Sequence, residues 1–230
     1  MKSVFLLLAA SLLLGTTPLK AGEGERLYYI FDPLCGWCFA FGEEMDKIAD
    51  QYGSQMEIRV LSGGMITGER VGPLSESAEY IKEAYKTVEE QTGVEFGRPF
   101  LDHLYNDGSH IFSSLEPSIA LVVMKELAPE HALDFAHDLQ KAVYVDGLPP
   151  AEFESYASYA ENYGVSREEF LEKCRDPDMQ HRAEVEFTLA ANLGATGFPT
   201  ILYYNGRELQ IISRGYLPAN EIANRINAVR

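Results

Sequence analysis

Cys35 and Cys38 stand three apart in the stretch FDPLCGWCFAFG. A cysteine pair at that spacing can exchange disulfides, help to hold a metal or staple a turn. A metal would need two further ligands. The remaining cysteine, Cys174, stands alone, and His103 and His110 are seven apart in a glycine-containing stretch rather than at ligand spacing. A staple closing so short a loop removes little entropy from the unfolded chain. Exchange asks for a thiolate with a second thiol within reach. A cysteine at the first turn of a helix faces unpaired backbone N–H groups and the positive end of the helix dipole, both of which favour thiolate over thiol. Cys35 sits at that point, and Cys38, one turn later, can attack a mixed disulfide formed on Cys35. Cys174 follows Phe170 by one helical turn and reads as a small buried apolar residue.

The elements around the pair follow from periodicity. Arg26 to Phe31 reads as a buried strand and Phe39 to Tyr52 as a helix with Phe41, Met45, Ile48 and Ala49 on one face, ended by Gly53. Met56 to Leu61 alternates as a second strand and runs into SGGMITG, a glycine-rich surface loop. From about Leu74 to Leu193 the pattern is helical and without strands: Ile81, Tyr85 and Val88 share a face before Gly93, Pro117 and Pro129 suit first turns, SREE from Ser166 fits a capping box, and Asp176-Pro177 fits a cap. Extended structure resumes at Thr200 to Tyr204, with Asn205-Gly206 as the signal of a two-residue hairpin, and a last helix covers Ala219 to Val229. One mixed sheet can contain these strands only if the helical block is an insertion between them.

Composition sets the context. A hydrophobic share of 46% over 230 residues is enough for a sizeable core. Lys2, the apolar run Val4 to Leu14 and a small-residue stretch ending at Ala21 read as a signal peptide, because a membrane-spanning helix needs about 20 apolar residues. Residues 1–21 carry Lys2 and Lys20 and no acid, so their removal takes the formal charge from −16 to −18. That balance disfavours nucleic acid and anionic membrane surfaces as partners.

A second informative stretch, LGATGFPTILYYNG, lies more than 150 residues beyond the cysteines. A proline just before a strand cannot donate to a ladder, and a Phe198–Pro199 bond can be cis at modest cost. With FDPLCGWCFAFG and GATGFPT together, the chain resembles the DsbA family of thioredoxin-fold thiol–disulfide oxidoreductases, in particular its exported predicted disulfide-isomerase branch. The resemblance covers essentially the whole mature chain. It implies an α/β, thioredoxin-like fold built from residues 22–65 and 196–230, with an inserted helical domain over residues 66–195. It also implies that Cys35 attacks, Cys38 resolves, Pro199 is cis and the backbone of Phe198 pairs with an extended substrate. No cofactor or metal is implied. The implied partners are cysteine-containing exported polypeptides and a redox partner, in the periplasm or another exported location. The first strand begins within a few residues of the expected cleavage site, which leaves no N-terminal dimerisation domain and favours a monomer.

Two departures from the family pattern stand out. Many thioredoxin-fold enzymes hold a buried carboxylate six residues before the first cysteine to assist proton transfer, and here that position is Tyr29; the nearest acid, Asp32, is at the strand end. The residues between the cysteines are Gly36 and Trp37 rather than the Pro-His of strong oxidants, which implies a weaker oxidant. Trp37 is placed either to recognise substrate or to cover the disulfide. Two other classes compete: a glutathione-dependent transferase or isomerase of the kappa type, which usually carries serine at the position of Cys35, and a binding protein with an inert disulfide.

Overall fold

The computed structural model describes residues 24–230, so the leader assigned to residues 1–21 lies outside the described residues. The first strand, β1 (Arg26–Phe31), is apolar because both its faces are covered: Leu27, Tyr29, Ile30 and Phe31 are all fully buried. The chain turns at Asp32 to Cys35, forms helix α1 (Gly36–Tyr52), and returns as β2 (Glu57–Ser62) parallel to β1, with Arg26 opposite Glu57. Helix α1 starts three residues before its apolar spacing does. Cys35 is extended (φ −96°, ψ 111°) while its carbonyl already accepts from the Phe39 N–H at 3.0 Å, so Gly36, Trp37 and Cys38 make the first turn although their side chains break the pattern.

After β2 come β3 (Gly72–Pro73), α2 (Ala78–Thr92), α3 (Arg98–Asn106), β4 (Ile111–Phe112), α4 (Leu115–Leu127), α5 (Ala132–Tyr144), α6 (Glu154–Glu161), α7 (Arg167–Cys174) and α8 (Pro177–Asn192). The chain rejoins the sheet with β5 (Thr200–Tyr204) and β6 (Leu209–Arg214) and ends in α9 (Ala219–Val229). The main sheet runs β2-β1-β5-β6, with β5 antiparallel to β1 and to β6. The caps anticipated at Ser166 and Asp176 form: Ser166 accepts from the Glu169 N–H and Asp176 from the Asp178 N–H.

Two details differ from the sequence reading. The block expected to lack strands contains the β3–β4 pair, in which Gly72 faces Phe112 and Pro73 faces Ile111; two residues are too few to leave an alternating signature. The β5–β6 connection spans residues 205–208 rather than two residues, because the Asn205 side chain accepts from the N–H groups of both Arg207 and Glu208.

One face of β1 packs on α1, where Phe41, Met45 and Ile48 are fully buried, and the other places Ile30 with Leu61, Leu202 and Ala190 of α8. The insertion is also pinned to the sheet by charge. Lys125 of α4 donates to both carboxylate oxygens of Glu186 on α8, at 2.6 and 2.8 Å, and Glu186 accepts from the Ser62 N–H at the end of β2. Burial pulls the Lys125 ammonium below the usual lysine range, and Glu186 partly opposes this. Lys125→Met should cost about 1–3 kcal/mol: less than for a fully buried pair, since 20% and 16% of the two side chains remain exposed. Urea melts check this, and adding Glu186→Met should recover part of the loss, because the stranded carboxylate is then gone.

Candidate active site

Cys35 occupies the N-cap of α1, and its sulfur accepts from the Cys38 N–H at 3.3 Å. The sulfur thus sits at the positive end of the helix with one backbone N–H aimed at it. Cys35 is 6% exposed and Cys38 wholly buried beneath it. Burial pushes the Cys38 thiol well above the usual range, and the adjacent Cys35 sulfur adds to this. The two thiols are therefore unequal. One can be reached from outside; the other stays protonated until a partner sulfur is presented to it.

Opposite the pair lies the loop before β5. The Phe198–Pro199 bond is cis, as the sequence suggested, and the Phe198 carbonyl accepts from the Cys35 thiol at 3.5 Å. Phe198 is half-buried and Pro199 buried. Trp37 is half-buried beside Tyr216, with ring centroids 6.2 Å apart. The fold thus brings Cys35, Cys38, Trp37, Phe198 and Pro199 together across a chain separation of 163 residues between Cys35 and Phe198. Gly63, just after β2, is what lets Phe198 sit there: a Cβ at Gly63 would fall 2.0 and 2.1 Å from two ring carbons of Phe198.

Tyr29, six residues before Cys35, is fully buried with its hydroxyl unpartnered, and burial drives its pKa up so that it stays neutral. The carboxylate of the site is Asp32, also fully buried. Its Oδ1 accepts from the Leu34 N–H (2.9 Å) and the Ser114 hydroxyl (2.8 Å), and its Oδ2 from the Met65 N–H (2.6 Å). Burial raises the Asp32 pKa, and these three donors pull it back only in part. One side chain therefore ties the cysteine turn to the loop after β2 and to the start of α4. Gln140 of α5 supports the same turn: oriented to satisfy both ends of its amide, it accepts from the Phe39 N–H at 3.0 Å and donates to the Cys38 carbonyl at 3.3 Å.

Cys174 is 2% exposed, with its thiol pushed up to about 12 by burial, so it packs as an apolar residue. His103 and His110 stack with ring centroids 3.5 Å apart despite their spacing in the chain, but both His103 ring nitrogens are engaged, by the His110 N–H and the Asp107 carboxylate. Among the described residues, no cluster of three metal-ligating side chains forms.

The DSBA-like thioredoxin domain model matches residues 27–225, which spans both cysteines, the insertion and the cis-proline loop. The chain belongs to the DSBA-like thioredoxin family. A candidate protein disulfide isomerase of Nitrosomonas europaea shares its fold with a TM-score of 0.79, at 24% identity over 90% of this chain and 97% of the other. DsbM, a cytosolic disulfide reductase of Pseudomonas aeruginosa also solved with GSH, is 26% identical, with a TM-score of 0.73 over 89% of this chain and 98% of its own in one of its structures. The ClpXP adapter protein SpxH of Halalkalibacterium halodurans is 21% identical over 192 residues, 81% of this chain; the chain spans 60% of that curated relative. The family's disulfide oxidoreductase fold is thus established for this chain.

Proposed function

We propose that this protein is an exported thiol–disulfide oxidoreductase that exchanges disulfides with cysteine-containing polypeptides, without a cofactor. The Cys35 thiolate attacks one sulfur of a substrate disulfide, forms a mixed disulfide and releases the other substrate sulfur as thiolate. Cys38 then gives up its proton and attacks the Cys35 sulfur, which frees the second substrate thiol and leaves a Cys35–Cys38 disulfide. Run in reverse, the same steps donate a disulfide. The observation that carries this reading is the inequality of the two sulfurs: Cys35 capped by an N–H at the helix start, Cys38 sealed beneath it. Export rests on the lysine, apolar run and small residues of positions 1–21.

The likeness to DsbM favours one second reading, a cytosolic reductase that works with glutathione. Mass analysis of the protein from its own cells separates the two. A chain that begins at Gly22 in the exported fraction supports the proposal, and one that begins at Met1 in the cytosol sinks it. Insulin reduction and refolding of reduced ribonuclease test the activity. The redox state of the pair, trapped in cells by alkylation, then gives its direction: mostly oxidised for a disulfide donor, mostly reduced for an isomerase or reductase.

The same reading makes Gly63 sensitive. Gly63→Ala should push the Phe198 ring out of the mouth and slow exchange by up to about 100-fold, the scale on which small misplacements act, with little change in a urea melt. Unchanged exchange kinetics would show that Phe198 has no part in positioning substrate.

A further inference from the structure

The stacked histidines of the insertion take no part in exchange, yet a short run of backbone joins them to the site. The His103 side chain, on α3, is 11% exposed. Its Nδ1 faces the Asp107 carboxylate at 3.1 Å, and its Nε2 faces the His110 N–H, also at 3.1 Å. A carboxylate accepts and an N–H donates, so the two neighbours together select the neutral imidazole with its proton on Nδ1. The His110 carbonyl accepts from the Leu74 N–H at 2.8 Å, and two residues on, Phe112 of β4 pairs with Gly72 of β3. Ser114 follows: its N–H donates to the Ile66 carbonyl at 2.8 Å, and its hydroxyl accepts from the Ile66 N–H at 2.9 Å and donates to Asp32 at 2.8 Å. Phe112 also lines the cavity beside Cys35, together with Ile81 and Tyr85 of α2.

We propose that His103 and His110 are positioning residues for the exchange site, which anchor β4 and so present Ser114 to Asp32 only while both rings are neutral. The inference rests on the disulfide-exchange reading and adds to it a regulation by acid. A proton on Nε2 of His103 sets a second donor against the His110 N–H, and their hydrogen bond is lost. A proton on His110 charges a partly buried ring, and once both rings are charged, two cations stand with centroids 3.5 Å apart. The acids around the pair are Asp107, at the C-terminal end of α3, and Glu152, in the segment before α6, and both favour the charged rings. Asp107 is 58% exposed, so water weakens its pull. At His110 burial, and after it His103, hold the pKa below the usual histidine range, with Asp107 and Glu152 opposing in part. A histidine depressed in this way stabilises the fold fully above its unfolded value, near 6.5, and that contribution is lost as pH falls through the folded value. The anchor is therefore held at neutral pH and released in mild acid.

The experiment is amide hydrogen exchange read by NMR on the reduced full mature chain at pH 7.5 and 5.5, with insulin reduction measured under the same conditions. Protection of the His110 N–H, corrected for the intrinsic effect of pH, should fall about 10-fold at the lower pH, the scale of one lost hydrogen bond. The 15N shifts of His103 should show Nε2 without a proton at pH 7.5. His103→Gln supplies an amide oxygen that can accept from the His110 N–H and does not titrate, so its protection should be the same at both pH values. The ratio of insulin reduction by the parent to that by His103→Gln should be near one at pH 7.5 and fall severalfold at pH 5.5; protonation of Cys35 and Asp32, common to both proteins, cancels in that ratio. His110 protection in the parent that does not change with pH overturns the anchor, as does a His103 protonated on Nε2 at pH 7.5, and neither measurement depends on a variant that folds. A ratio that stays constant while protection falls overturns the link to the exchange site and leaves exchange standing. Failure of both proteins to reduce insulin at either pH overturns the exchange reading itself, while His110 protection still decides the anchor.

Discussion

Cys35→Ser should reduce disulfide exchange to the uncatalysed background, whereas Cys38→Ala should leave the first attack intact and accumulate long-lived mixed disulfides with substrate. The asymmetry follows from where the sulfurs sit. Cys35, 6% exposed where Cys38 is not exposed at all, is the more accessible sulfur and the one that receives an N–H, from Cys38 at 3.3 Å. Cys38 is wholly buried and held protonated chiefly by that burial. Only Cys35 can meet a substrate sulfur first, and only Cys38 is near enough to release it. The Cys38 backbone N–H survives substitution by alanine, so the Cys35 thiolate keeps its donor. Iodoacetamide gives a direct check on the reduced native protein: Cys35 should alkylate fast, Cys38 slowly, and Cys174, whose thiol is pushed up to about 12, only after unfolding. Equal rates at Cys35 and Cys38 would remove the basis of the assignment. So would a Cys38→Ala protein that releases substrate as fast as the parent.

What could be read from the chain beforehand tracks how local each signal is. β1 and α9 have the bounds that periodicity indicates, because each is a short run whose apolar face is decided by its own residues. The cysteine motif and the Phe198–Pro199 loop were recognisable as two motifs, and it took their joint resemblance to one family to place them opposite each other. The roles of Ser114, Gln140 and α2 were not legible. Ser114 reaches Asp32 across 82 residues, and nothing in the spacing near Ser114 announces a buried carboxylate. Ile81 and Tyr85 showed up as one helix face, but a helix face does not say whether it covers core or borders a cavity. In the sequence Asp32 is only an acid in an unusual place. Its burial, and the three donors it collects, depend on β2 and α4 closing over the strand end.

Asp32→Ala should be the most destabilising substitution at the site, by about 3 kcal/mol or more, since it strands the Leu34 and Met65 N–H groups and the Ser114 hydroxyl in surroundings poor in water. Asp32→Asn should cost less and should behave differently with pH. An asparagine oxygen can still serve Leu34 and Ser114, but its NH2 then faces the Met65 N–H, donor against donor, at a cost of about 1–3 kcal/mol that does not vary with pH. The aspartate adds a term that does vary. Its pKa is raised in the folded protein because burial outweighs the three donors. A raised carboxyl favours the folded state when protonated, so its contribution is complete below the unfolded value, near 3.8, and is lost as pH climbs through the folded value. Asparagine has no such term. The stability advantage of the parent over Asp32→Asn should therefore be larger at pH 4 than at pH 7, while all other carboxylates, common to both proteins, cancel in the comparison. Paired urea melts at the two pH values measure that gap. A gap that stays constant, or that widens towards pH 7, would mean that the donors from Leu34, Met65 and Ser114 outweigh burial and that Asp32 is held as a stabilised carboxylate.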